Sequence, residues 1–184
     1  MRKVTRTFGV AAMLATFAAT PLVAQTQITQ SDPGLGAARN AAIYLKAMLT
    51  KAAEQMSEED YAFKPTPEVR SFGQVLAHIA DQDYGFCSAA KGEKVASNRF
   101  EKTPTTKAEI QKALLDAFAY CDGVYAAMTD ARAHTMVEFG KRQMPAVTVL
   151  IYRSHHATLH YGNVITYMRL RGKVPPSSAD MPSD

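Results

Sequence analysis

Apolar and polar positions repeat at three- and four-residue steps in four separate stretches of the chain, the spacing of amphipathic helices. The first runs from Gly34 to Gln55, with Leu35, Ala38, Ala42, Leu45, Leu49 and Ala52 on one face. The second opens at Ser71, an N-cap with Gln74 three residues on, and continues to Ala90. The third starts at Thr106 and carries the stripe Ile110, Leu114, Ala117, Cys121, Val124 and Met128. The fourth begins at Pro145, acceptable in a first helical turn, and reaches Leu170 before Gly172 and Pro175-Pro176 stop it. No stretch alternates convincingly as a strand. The pattern predicts an all-α protein, a four-helix bundle.

The second and third helices are separated by "KGEKVASNRFEKTPT", 15 residues. Antiparallel neighbours in a bundle usually need only ~2–8. Extended at ~3.3 Å per residue, this connection spans about 50 Å, more than the ~30 Å of a 20-residue helix. A long crossover is therefore expected, with the third helix parallel to the second. The cysteines bear on the same question. Cys87 lies 16 residues after Ser71, and Cys121 lies 15 after Thr106. Parallel helices put the two sulfurs level; antiparallel ones separate them by roughly 15–20 Å, beyond any disulfide. A Cys87–Cys121 bond and the crossover thus stand together. Two buried small hydrophobes or a reactive thiol are the alternatives. No C-x-x-C is present to suggest dithiol redox chemistry or covalent haem.

The N-terminus changes the picture of charge and location. Arg2, Lys3 and Arg6 precede "FGVAAMLATFAATPLVA" and then the polar "QTQITQSD", the order of a secretory signal peptide cleaved after Ala24. The apolar run is short for a membrane span and contains Pro21, so no stable membrane anchor is expected. With no cysteine near the cut, lipid attachment there is excluded. The expectation is an exported protein, periplasmic or secreted, with a leader at 1–24, a flexible stretch at 25–33, a helical domain at 34–178 and a loose tail at 179–184. Removing the leader's three bases lowers the net charge from +4 to +1. That leaves no dense Lys/Arg face for nucleic acid. An oxidising compartment also favours the disulfide.

Three of the five histidines fall in "SHHATLHYGN" (residues 154–163). His156 and His160 are four apart and share a helix face, about 6 Å apart along the axis, while His155 is turned away by ~100°. Their line, through Val149, Tyr152, Asn163, Tyr167 and Leu170, keeps helical period and is expected to face the bundle interior. Two inward imidazoles are costly unless satisfied, and a divalent cation satisfies both as neutral ligands. Taken alone, His-x-x-x-His is a weak signal. It is not the zinc-protease motif, because Ala157 stands where that motif needs glutamate.

A third ligand is available in "LAHIAD" of the second helix. If the fourth helix rises while the second descends, His78 reaches the level of His156 and His160. Without such partners it would read as a satisfied core histidine. The three leave coordination positions open, as in catalytic sites, and Zn²⁺ or Ni²⁺ suits the donors. Asp81, Asn163 and Tyr167 are candidates to bond the outer ring nitrogens. Their plainer roles would be a surface carboxylate, a buried amide and packing. His134, in "DARAHT", is expected to be exposed with nothing to pair with.

The segments "FKPTPEVRSFGQVLAHIADQDYGFCSAA" and, far downstream, "HATLHYGNVITYMRLRGKVPPSS" together resemble the DinB-like family of metal-binding four-helix proteins. The resemblance extends from about Leu35 to Ser178. It implies a bundle with a crossover, a divalent metal held at positions matching His78, His156 and His160, and a homodimer. Several relatives are thiol transferases; others have no assigned activity. The expected function is a metal-dependent transferase or hydrolase acting on a small molecule, with thiol transfer implied by the resemblance alone. The alternative is a non-catalytic, stress-related metal-binding bundle acting as a dimer.

Overall fold

Each long helix starts where a side chain or a proline sets its first turn, and the two that end on glycine do so at positive φ. In the computed structural model, which describes residues 32–94, 100–103 and 106–179, Asp32 accepts from the Leu35 N–H at 2.7 Å and caps α1 (Pro33–Gln55). Reciprocal capping boxes, Ser71 with Gln74 and Thr106 with Glu109, open α3 (Phe72–Lys91) and α4 (Lys107–Ala127). Pro145 precedes α6 (Ala146–Leu170). Gly92 (φ 81°) and Gly172 (φ 70°) close α3 and α6 in the left-handed conformation that glycine adopts without penalty. The expected leader, the stretch at 25–31 and residues 180–184 lie outside the described residues.

The fold is the expected four-helix bundle. The disulfide-bonded Cys87 and Cys121, with Cα atoms 5.5 Å apart, and the first-turn contact of Gly73 with Ile110 make α3 and α4 parallel. The Tyr167 hydroxyl donates to the Arg70 carbonyl at 2.9 Å, so α6 ends where α3 begins and the two are antiparallel. Gln111 bonds the Ala53 carbonyl and Arg39 the Met128 carbonyl, which sets α1 antiparallel to α4. Gly34 sits against Val147, and α1 therefore runs parallel to α6. The expected stripes on the first and third helices are buried throughout.

Three local elements depart from the sequence reading. The connection after α1 holds a one-turn helix, α2 (Glu58–Ala62), opened by a Ser57–Asp60 capping box. Another short helix, α5 (Asp130–Ala133), follows α4. The expectation of no strand is corrected by a hairpin, β1 (Met136–Phe139) and β2 (Arg142–Pro145), paired antiparallel with Phe139 opposite Arg142. Its two-residue loop places Gly140 at φ 62°, a hairpin turn geometry. Four-residue strands are too short to show periodicity, so only Gly140 marked the turn. The hairpin carries Phe139 onto Phe86, with ring centroids 5.2 Å apart.

The α6 stripe is also corrected in part. Val149 and Tyr167 are buried, but Tyr152 and Leu170 are 40% and 59% exposed, and Asn163 is exposed. The inward face is instead centred on Leu150, Arg153, Ala157, Tyr161 and Val164. This rotation leaves the two histidines at the margin of the interior, His156 half-buried and His160 9% exposed.

Candidate metal centre

His78 comes from the second turn of α3, and His156 and His160 from successive turns of α6. Because the two helices are antiparallel, the rings converge at one level, as the spacing predicts. One ligand-capable nitrogen from each lies within 4.8 Å of the others. Nε2 of His78 is 3.1 Å from Nε2 of His156. The ring centroids stand 4.5–5.0 Å apart. His155 is exposed, as its angle requires.

Electrostatics keep two of the rings unprotonated. Burial first, then the neighbouring imidazoles and the Arg70 charge, hold His156 down at about 4. Burial, then His78 and Arg70, hold His160 at about 4, with Glu101 pulling weakly the other way. At neutral pH both offer lone pairs rather than protons. Three imidazoles on packed helices are a donor set suited to borderline divalent cations.

The groups around the rings differ from those expected. Asn163 is near, its amide nitrogen 3.4 Å from Nδ1 of His160. Asp81 does not bond a histidine. Its carboxylate accepts the backbone N–H groups of Phe100 and Glu101, each at 3.1 Å. Tyr167 likewise stops short of the histidines, because its hydroxyl donates to Arg70 and its ring packs edge-on against Phe63. His134 is exposed but is corrected as to pairing: it meets the Asp32 carboxylate at 2.8 Å, beside the N-cap of α1.

Glu101 was not anticipated. It lies on a short 3-10 turn, Phe100–Lys102, in the crossover, and its Oε2 is 2.8 Å from Nδ1 of His78. The other oxygen accepts from Nε of Arg70 at 2.6 Å. Burial raises the Glu101 carboxyl, but the bonds from Arg70 and His78 outweigh it and hold the group below its ordinary range. No helical period covers this turn, so only its charge distinguished it in the sequence. A cleft of about 470 Å³ adjoins Glu101, between α2, the first turns of α3 and the crossover, floored by Gly73, Ala77 and Ile110. Among the described residues that line it there is no imidazole or thiol; its polar lining includes Glu58, Tyr61, Lys64 and Ser71.

Two further features were missed. Phe86 packs against His156 (centroids 5.6 Å apart), and Phe139 and Tyr152 extend that aromatic wall. Behind it, Arg153 and Asp83 form an ion pair across α3 and α6, with side chains 2% and 0% exposed. Neither residue stands out in the sequence, since their burial depends on the antiparallel placement of α3 against α6.

Among curated proteins, none matches this chain. The chain is similar in fold to a DinB-like protein from Bacillus cereus ATCC 10987, at 20% identity and a TM-score of 0.67, covering 77% of this chain and 95% of that one. A DinB-like protein from Bacillus subtilis gives 18% identity and a TM-score of 0.63, covering 80% and 96%. A mycothiol-dependent maleylpyruvate isomerase gives 14% identity and a TM-score of 0.58, covering 71% of this chain and 60% of the isomerase. At these identities the likeness concerns the fold. Residues 44–164 match the family model of the DinB superfamily, a match that takes in all of α3 and the part of α6 that carries His156 and His160. This chain belongs to the DinB superfamily.

Proposed function

We propose that the protein binds one divalent cation, Zn²⁺ or Ni²⁺, through His78, His156 and His160, and that this centre serves a transferase or hydrolase reaction on a small molecule. The observation that carries the reading is the convergence of three ring nitrogens within 4.8 Å, from two helices locked by packing. Tetrahedral bonds of ~2.1 Å place ligand nitrogens about 3.4 Å apart, so side-chain rotations of about an ångström suffice for all three to engage. Three protein ligands leave at least one position for substrate or water.

When bound, the cation supplies Lewis acidity that acidifies a water or thiol reaching it. The chain supplies the rest. The wall of Phe86, Phe139 and Tyr152 offers an apolar face beside His156. Arg70 offers a partly exposed guanidinium on the side of Glu101. Thiol transfer is the favoured reaction class, supported by the family and by the mycothiol dependence named for one fold relative. Export is part of the same reading: the leader-like residues 1–24 and the Cys87–Cys121 bond both suit an oxidising compartment. Among the described residues, no helix is long and apolar enough to cross a membrane.

Elemental analysis of the purified protein tests the metal, with one Zn or Ni per chain expected in wild type and little in His156→Ala. Equal, negligible content in both removes the site. A panel of thiols and electrophiles offered to the metal-loaded protein then tests turnover. No activity across the panel would leave a metal-binding protein without catalysis.

A further inference from the structure

We infer that Glu101 is a positioning residue of the three-histidine centre and that Asp81 is the clamp that sets it, so that the Phe100–Lys102 turn completes the site. The inference rests on the metal-binding reading of His78, His156 and His160. It starts from hydrogen-bond chemistry. An ionised carboxylate only accepts, so a neutral His78 facing Oε2 of Glu101 at 2.8 Å must carry its proton on Nδ1. Nε2 is then left with a free lone pair, and Nε2 is the atom turned toward His156 at 3.1 Å. A carboxylate behind a ligating imidazole fixes both the tautomer and the ring orientation that coordination requires.

Glu101 is held from two sides, at its side chain by Arg70 and at its backbone by Asp81. Arg70 Nε donates to its second oxygen, and its own N–H and that of Phe100 donate to the two oxygens of Asp81. Asp81 lies three residues after His78 on the same face of α3. One helix face therefore carries both a ligand and the anchor that returns the ligand's outer partner from the crossover. Tyr167 enters the same chain, since its hydroxyl fixes the Arg70 carbonyl. As a bare surface pair, Arg70–Glu101 would contribute little. The convergence on Nδ1 of His78 assigns it a role that a surface pair lacks.

Nitrogen-15 NMR of the metal-free protein at pH 7, together with Zn²⁺ titration against a chromophoric chelator, tests this. Wild type should show His78 with its proton on Nδ1. Glu101→Ala should lose that tautomer preference and bind Zn²⁺ ~10–100-fold more weakly. Glu101→Gln keeps an acceptor oxygen and should restore the tautomer and most of the affinity. Asp81→Asn should speed amide exchange at Phe100 and Glu101 and weaken Zn²⁺ in the same direction. A wild-type His78 protonated on Nε2, or Zn²⁺ binding by Glu101→Ala within twofold of wild type, overturns the inference alone. Failure of wild type to bind Zn²⁺ or Ni²⁺ overturns the metal reading beneath it.

Discussion

Nε2 of His78 stands 3.1 Å from Nε2 of His156 across the α3–α6 interface, with His160 one turn further along α6. His156 and His160 tolerate protons poorly there. With His156 and His160 held at about 4 against an unfolded value near 6.5, the unfolded chain binds protons between these limits that the folded protein refuses. Stability of the metal-free protein should therefore fall as pH drops from about 6.5 to about 4, and this contribution should be flat above that window. Urea midpoints measured at steps of pH would show the slope, and His156→Ala/His160→Ala should flatten it. An unchanged slope in the double variant would contradict the assignment.

The Arg153–Asp83 pair behind the site has Nε 3.0 Å from Oδ1 and a second contact from Nη2 to Oδ2. Both side chains are out of water, so removing one strands the other. Asp83→Asn should destabilise by ~3–5 kcal/mol, whereas replacing both with apolar residues of similar volume should recover most of the loss. Chemical unfolding of both single variants and the double variant checks this; a loss in the double variant equal to the sum of the two single losses would mean that the pair is not coupled.

Reduction should loosen the α3–α4 seam. The Cys87–Cys121 bond spans 34 residues of chain, for which loop-closure entropy corresponds to about 3–4 kcal/mol. The oxidised protein should melt well above the reduced one. Cys87→Ser/Cys121→Ser should melt low and show no response to reductant.

Gly73 marks the close approach of the parallel pair at its other end. A Cβ there would lie 2.9 Å from Cδ1 of Ile110 and 3.1 Å from the Tyr61 carbonyl oxygen, which is backbone and yields little. Overpacking of ~1–3 kcal/mol outweighs the ~0.5–1 kcal/mol that alanine gains over glycine in a helix. Gly73→Ala should therefore lower stability by about 1 kcal/mol or more, read as a lower urea midpoint. A stabilised variant would show that α2 and α3 separate more easily than their contacts imply.

The parallel crossover and the level of the three histidines were legible because local signals set the register. Ser71 and Thr106 cap their helices, and counting from them brings Cys87 level with Cys121 and His78 level with the α6 pair. Glu101, Arg70 and Asp83 were not legible. Their roles arise between segments distant in sequence, and a crossover without helical period gives no indication of which carboxylate folds back. Asp81 shows the same limit: its position on α3 was clear, but its partners are backbone groups 19 and 20 residues away. Tyr152 and Leu170 were misplaced because a stripe of correct period leaves the rotation of the helix about its axis undetermined.

Anomalous diffraction across the zinc absorption edge, from crystals grown with Zn²⁺, tests the central claim most directly. The account predicts one peak per chain, about 2.1 Å from a ring nitrogen of each of His78, His156 and His160, with the Glu101 carboxylate still on Nδ1 of His78. No peak at that position, or a peak bound by His155 or His134 instead, would contradict it.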